Sequence, residues 1–168
     1  MDNIIEIRDM WRSYRRGSET INACTGINLA IARGEMMAIV GRSGSGKTTL
    51  LNQIGGLDSP TQGTIKIGEL DITRLKESEL VGLRRSKIGF IFQLFYLIPT
   101  LTVWENVELP LIFARRRDKE AVKQSLDRVG VMDIKDSLPA HLDGGSMQKV
   151  AIARALSLIH ISEPTRPY

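Results

Sequence analysis

Residues 41–48 read Gly-Arg-Ser-Gly-Ser-Gly-Lys-Thr and follow directly on the apolar run Met36-Met37-Ala38-Ile39-Val40. A turn with this GxxxxGKT spacing is built to hold phosphate. Glycines at 41, 44 and 46 let the backbone curl until successive N–H groups point inward at the anion, where bulkier side chains would block approach. Lys47 is then placed to reach the β- and γ-phosphates, and the Thr48 hydroxyl to ligate Mg²⁺. Arg42, Ser43, Ser45 and Thr49 complete the candidate binding loop for a nucleoside triphosphate. Thr49-Leu50-Leu51-Asn52-Gln53-Ile54 predicts a short helix whose positive end faces the phosphates, with Gly55-Gly56 as its stop.

The elements that must position this loop show in the apolar spacing. Ile5 and Ile7 alternate with Glu6 and Arg8, and Ile27, Leu29 and Ile31 with Asn28 and Ala30, which predicts two amphipathic strands. Gly63-Thr64-Ile65-Lys66-Ile67-Gly68 predicts a third, so an antiparallel patch should lie beside the nucleotide core, whose own strand is 36–40. Residues 75–85 set Leu80 and Leu83 among charges, as a short surface helix does. Thr102-Val103-Trp104-Glu105 has the form of a capping box, so a helix starts there; Pro110 is expected to break it. Residues 118–129 put Val122, Leu126 and Val129 on one helical face and end at Gly130.

Composition excludes several classes. The 168 residues are 42% hydrophobic and 25% charged, ordinary for one globular domain with a real core. The opening Met-Asp-Asn-Ile-Ile-Glu-Ile-Arg has no basic region followed by an apolar one, so a cytoplasmic chain is expected. The apolar stretch 88–113 is interrupted by Gln93, Pro99, Glu105, Asn106, Glu108 and Pro110 and cannot span a bilayer. A single cysteine, Cys24, excludes an internal disulfide and a multi-cysteine metal site, and reads as a small buried residue. The net charge is +4. The basic clusters Arg12, Arg15, Arg16; Arg84, Arg85, Lys87; and Arg115, Arg116, Arg117 read as solvated surface, so no nucleic-acid partner is expected.

The second motif is Leu142-Asp143-Gly144-Gly145-Ser146-Met147-Gln148-Lys149-Val150-Ala151-Ile152-Ala153-Arg154-Ala155-Leu156. Taken with the phosphate loop, it resembles the signature region of ABC-type ATPases, usually Leu-Ser-Gly-Gly-Gln followed by a helix. Gly144-Gly145 and the run 150–156 match, with Lys149 replacing arginine. The resemblance covers residues 4–156. It implies an α/β fold: a P-loop NTPase core of the ABC type with an antiparallel β subdomain and an inserted helical subdomain, incomplete at the C-terminus. The implied divisions are a partial ATPase domain over 1–156, containing the core and antiparallel part in 1–90, the helical subdomain in 91–145 and the signature with its helix in 142–156, then a non-native tail over 157–168.

The resemblance also implies roles. ATP and Mg²⁺ are the expected cofactors, with Lys47 and Gln93 catalytic and Thr48 and Gln93 at the metal. Tyr14 lies where such domains stack an aromatic on adenine, plain packing being its other reading. Asp143, Gly144 and Gly145 would cover ATP held by a second ATP-binding domain, in a homo- or heterodimer. Residues 92–110, with Leu101-Thr102-Val103-Trp104-Glu105-Asn106-Val107, are most similar to the lipoprotein-release and macrolide-export branch. There, apolar residues around Phe95, Tyr96 and Leu97 dock the coupling helix of a membrane permease; core packing is the alternative. The implied protein is a transporter's ATP-binding subunit, cytoplasmic and peripheral on the inner face of the membrane.

Two departures qualify the activity. Asp143 stands where the family usually has serine, bringing a carboxylate towards the partner's γ-phosphate, and Ser146, a lesser departure, replaces the usual glutamine or glutamate. The family also carries, shortly past the Ala-Arg-Ala-Leu run, an apolar strand ending in Asp-Glu. Ser162-Glu163 mimics that pair, but the stretch from Ser157 to Ile161 is too short to finish the helix, turn and build a strand, so Glu163 is not expected to be the base. Residues 156–167 instead resemble a translated sequencing adapter, a fusion scar. Neither His160 nor His141 is then catalytic. The chain as it stands is expected to bind ATP through Lys47 but to be poorly stable and not to hydrolyse it. Two further readings are a non-transport ABC ATPase acting on nucleic acid or the ribosome, and a catalytically inactive ATP-binding partner. The stretch between Gln93 and Leu142 has room for a compact helical subdomain but not for a long coiled coil.

Overall fold

The strands form where the isoleucine alternation places them. A computed structural model describes residues 2–159. In it β1 (Asn3–Arg16) pairs antiparallel with β2 (Glu19–Ala32) on one side and β3 (Gln62–Ile67) on the other. The short β4 (Leu70–Asp71) completes the sheet in the order β2-β1-β3-β4. Ile7 faces Leu29 and Ile65 across the two ladders, and Ile7, Met10 and Ile65 are buried. Ile7 and Met10 are an odd number of residues apart, so both can be buried only if the strand slips register between them. It does so at Asp9, which has a left-handed φ of 44° and receives the Trp11 indole N–H on its carboxylate at 2.8 Å. Gly63 runs so close to this bulge that a Cβ would strike the Asp9 carbonyl.

The described residues of Met1–Val81 and of Gly82–Tyr168 form two compact units. The first also holds α1 (Lys47–Ile54), ended by Gly55 and a left-handed Gly56. The helix α2 (Glu77–Ser86) buries Leu80 and Leu83.

The second unit is helical. The capping box that opens α3 (Val103–Phe113) is complete: the Glu105 N–H donates to Thr102 Oγ1 at 3.2 Å, and the Thr102 N–H to Glu105 Oε2 at 2.8 Å. In α4 (Lys119–Val129) Asp118 caps the start and left-handed Gly130 the end. The helix α5 (Gly144–Ile159) packs with them around Val103, Val107, Leu111, Val122, Leu126 and Val150.

Two expectations fail. Pro110 does not break α3, which continues to Phe113. Proline removes one N–H from the ladder, yet Val107 and Leu111 on either side are buried, and the Ala114 N–H bonds back to Pro110 O at 3.0 Å. Packing thus holds the turn that local chemistry weakens. Residues 36–40 form no ladder, and Met36 and Val40 are 98% and 87% exposed. An apolar run becomes a core strand only beside other strands, and the four among the described residues pair with one another instead.

Candidate nucleotide site

The phosphate loop takes its shape from two glycines and one strand. Gly44 and Gly46 are left-handed, at φ 79° and 86°. Gly46 is also hemmed in, because a Cβ there would strike the Ala23 carbonyl of β2. No other residue type fits both conditions. Cys24 lies beside the same glycine, its Sγ 3.8 Å from Gly46 O, and burial pushes its thiol pKa up, the state of a packing residue.

Lys47 does not extend into solvent. Its ammonium donates to Gly41 O at 3.0 Å and Arg42 O at 2.8 Å, with Ser45 Oγ at 3.4 Å. A positive charge is therefore held against the loop at the N-terminus of α1, whose first N–H groups lack intrahelical partners. Thr48 is exposed in the first turn. The chemistry of this donor set fits a triphosphate and a hard cation: an ammonium, loop amides and a hydroxyl.

Tyr14, 38% exposed on β1, is fixed at both ends. Its hydroxyl donates to Asp58 Oδ2 at 2.8 Å, and the Arg12 guanidinium, paired with Asp58 Oδ1 at 2.6 Å, lies 4.5 Å from the ring centroid. The ring is thus a braced aromatic surface.

The other predicted residues belong to the second unit. Gln93 is exposed in the turn that follows Phe90 and Phe92, whose rings stack at 5.4 Å. Asp143 caps α5, accepting the Ser146 N–H on Oδ1 at 2.7 Å. That hydrogen bond, with a smaller contribution from Lys149, holds its carboxyl below the ordinary aspartate value. Gly144 and Gly145 form the exposed first turn. His141 ends a short 3-10 turn, a loop residue as expected. Glu163, His160 and most of the adapter-like stretch lie outside the described residues. Of that stretch, residues 156–159 are described: they continue α5, and Ser157 is buried there with Oγ 3.0 Å from Val107 O.

Two residues escaped the sequence reading. Asn106 is fully buried, and its side chain bonds Ile98 N–H at 2.7 Å and the carbonyls of Ile98, Leu101 and Thr102. Arg154 donates to Phe95 O and Tyr96 O. An amide in an apolar helix and an arginine inside an alanine-isoleucine run were the available signals.

A lysine-bearing phosphate loop and a glycine-opened helix downstream are what the ABC resemblance requires, and the comparison with known families settles the class. Residues 24–159 match the ABC transporter family, to which this chain belongs. It is 44% identical over 172 residues to the macrolide export ATP-binding/permease protein MacB of Shigella flexneri, a match covering 98% of this chain but 26% of that protein. It is 43% identical to the uncharacterized ABC transporter ATP-binding protein MJ0796 of Methanocaldococcus jannaschii, over 96% of this chain and 74% of that one. The fold superposes on a solved dimeric structure of MJ0796, in a post-hydrolysis state bound to ADP and Pi, with a TM-score of 0.86 at 42% identity over 92% of this chain and 70% of that chain. No helix among the described residues is long and apolar enough to cross a membrane.

Proposed function

We propose that this chain is the ATP-binding part of a transporter that couples ATP binding and hydrolysis to export or lipoprotein release through a membrane permease. The observation that carries this reading is the Lys47 ammonium held at the glycine-shaped loop, 2.8 Å and 3.0 Å from the Arg42 and Gly41 carbonyls. On binding, Lys47 exchanges those carbonyls for phosphate oxygens, the loop amides cradle the same group, and Thr48 would hold Mg²⁺, which supplies charge neutralisation at the transferred phosphoryl. Tyr14 offers its ring to the adenine. Asp143, Gly144 and Gly145, at the positive end of α5, would close over ATP on a second ATP-binding domain. The apolar residues around Tyr96 and Leu97 would meet the permease, which places the chain peripherally at the inner membrane face.

The test is ATP·Mg²⁺ binding measured by calorimetry for the wild type and Lys47→Met. Removing one charge-assisted contact should weaken affinity by about 10- to 100-fold. Equal affinities would refute the assignment of the loop. A second reading, a partner that binds ATP without turnover, draws support from Asp143; it predicts binding by the wild type but no hydrolysis even with its permease and second domain present.

A further inference from the structure

We propose that Arg154 is a positioning residue that clamps the turn after Gln93 to the signature helix, so that movement of a docked permease is passed to α5; this rests on the transporter reading above. Arg154 lies near the end of α5, and its guanidinium uses both terminal nitrogens, Nη2 to Phe95 O and Nη1 to Tyr96 O, each at 2.6 Å. A forked, charge-assisted pair of this kind fixes direction as well as distance.

The segment it holds is one that local forces disfavour. Phe95 and Tyr96 both have positive φ, 55° and 45°, a left-handed conformation that side chains with a Cβ rarely adopt, least of all in succession. Their own N–H groups reach only Phe92 O and Leu94 O, at 3.3 Å and 2.5 Å, within the same turn. The bonds that tie this turn to a distant element through its carbonyls are the two from Arg154. Among the described residues Arg154 makes no ion pair, and burial lowers its pKa, so its charge is set against backbone dipoles alone. Losing them would leave the turn without its tether to α5.

What the clamped turn presents is apolar. Leu94 is 69% and Tyr96 60% exposed, with Phe92 edge-on to the Tyr96 ring at 5.3 Å. The opposite end of α5 is Gly144, next to Asp143. One continuous helix thus joins the Arg154 fork to the residues proposed to cover the partner's ATP.

The experiment uses the full-length protein with its permease in membranes and measures ATP affinity, basal hydrolysis and permease-stimulated hydrolysis. Arg154→Met keeps the length and removes every donor; Arg154→Lys keeps the charge and removes the fork. For Arg154→Met we expect ATP affinity and basal turnover within about twofold of wild type and a loss of permease stimulation of about tenfold, the range of a coupling free energy. Arg154→Lys should be intermediate, and should carry the test if Arg154→Met fails to fold. Unchanged stimulation in either folded variant, or a parallel fall of all three quantities in Arg154→Lys, overturns the clamp. Absence of permease stimulation in the wild type would overturn the transporter reading and the clamp together, so the two failures are told apart by which protein fails.

Discussion

At the head of α5 a single side chain sets both the cap and the charge. Asp143 accepts the Ser146 N–H at 2.7 Å, an N-cap that serine would also make. Serine, however, would bring no carboxylate. Because that hydrogen bond lowers the folded-state pKa, Asp143 stays ionised further into the acid range than an unfolded-chain aspartate. The stability it contributes is present above the ordinary aspartate value of 3.8 and is lost as pH falls through the lower folded value. At neutral pH the carboxylate is therefore always charged and would face the γ-phosphate of a partner's ATP. We predict that Asp143→Ser strengthens ATP-dependent dimerisation, measured by analytical ultracentrifugation with and without ATP. Identical dimerisation of the two proteins would mean that the carboxylate does not meet the nucleotide.

At the scale of the element, α3 shows local chemistry and packing acting in different places. Its start is written in Thr102 and Glu105, which form the capping box within one turn. Its length is not, since Pro110 argues for a break that burial of Val107 and Leu111 prevents. Asn106 shapes the preceding loop by bonding Ile98 at both its N–H and carbonyl. We predict that Asn106→Leu destabilises the protein by about 2–4 kcal/mol, because it strands buried backbone groups. Urea denaturation would read this as a lowered midpoint with an unchanged slope; a cost near zero would show that water replaces the amide. A converse case is Gln53 in α1, fully buried, with neither amide atom hydrogen-bonded among the described residues.

At the scale of the whole molecule, apolar burial is uneven. The second unit closes a core of Val103, Val107, Leu111, Val122, Leu126 and Val150, whereas 36–40 leaves Met36 and Val40 open. Amide exchange opens fastest where few buried contacts resist it. In the 168-residue chain, hydrogen exchange should be slowest at Val107, Leu111 and Leu126 and near the unprotected rate across 36–40. Comparable protection of the two segments would show that 36–40 finds ladder partners in solution.

The sequence by itself determined what depends on near neighbours. The phosphate loop was legible because glycine spacing and a following lysine set the backbone locally, and so were the capping box, the Gly130 stop and the antiparallel strands, whose period of two follows from the pleat. Tertiary structure decided what depends on distant partners: the bulge at Asp9 that buries both Ile7 and Met10, the pressure of Ala23 on Gly46, the survival of α3 through Pro110, and the reach of Arg154 to Phe95 and Tyr96. Each of these rests on a contact between residues far apart in the chain or on burial among several elements. Such contacts leave no periodic trace, because their energy comes from the packed arrangement and not from the order of adjacent residues.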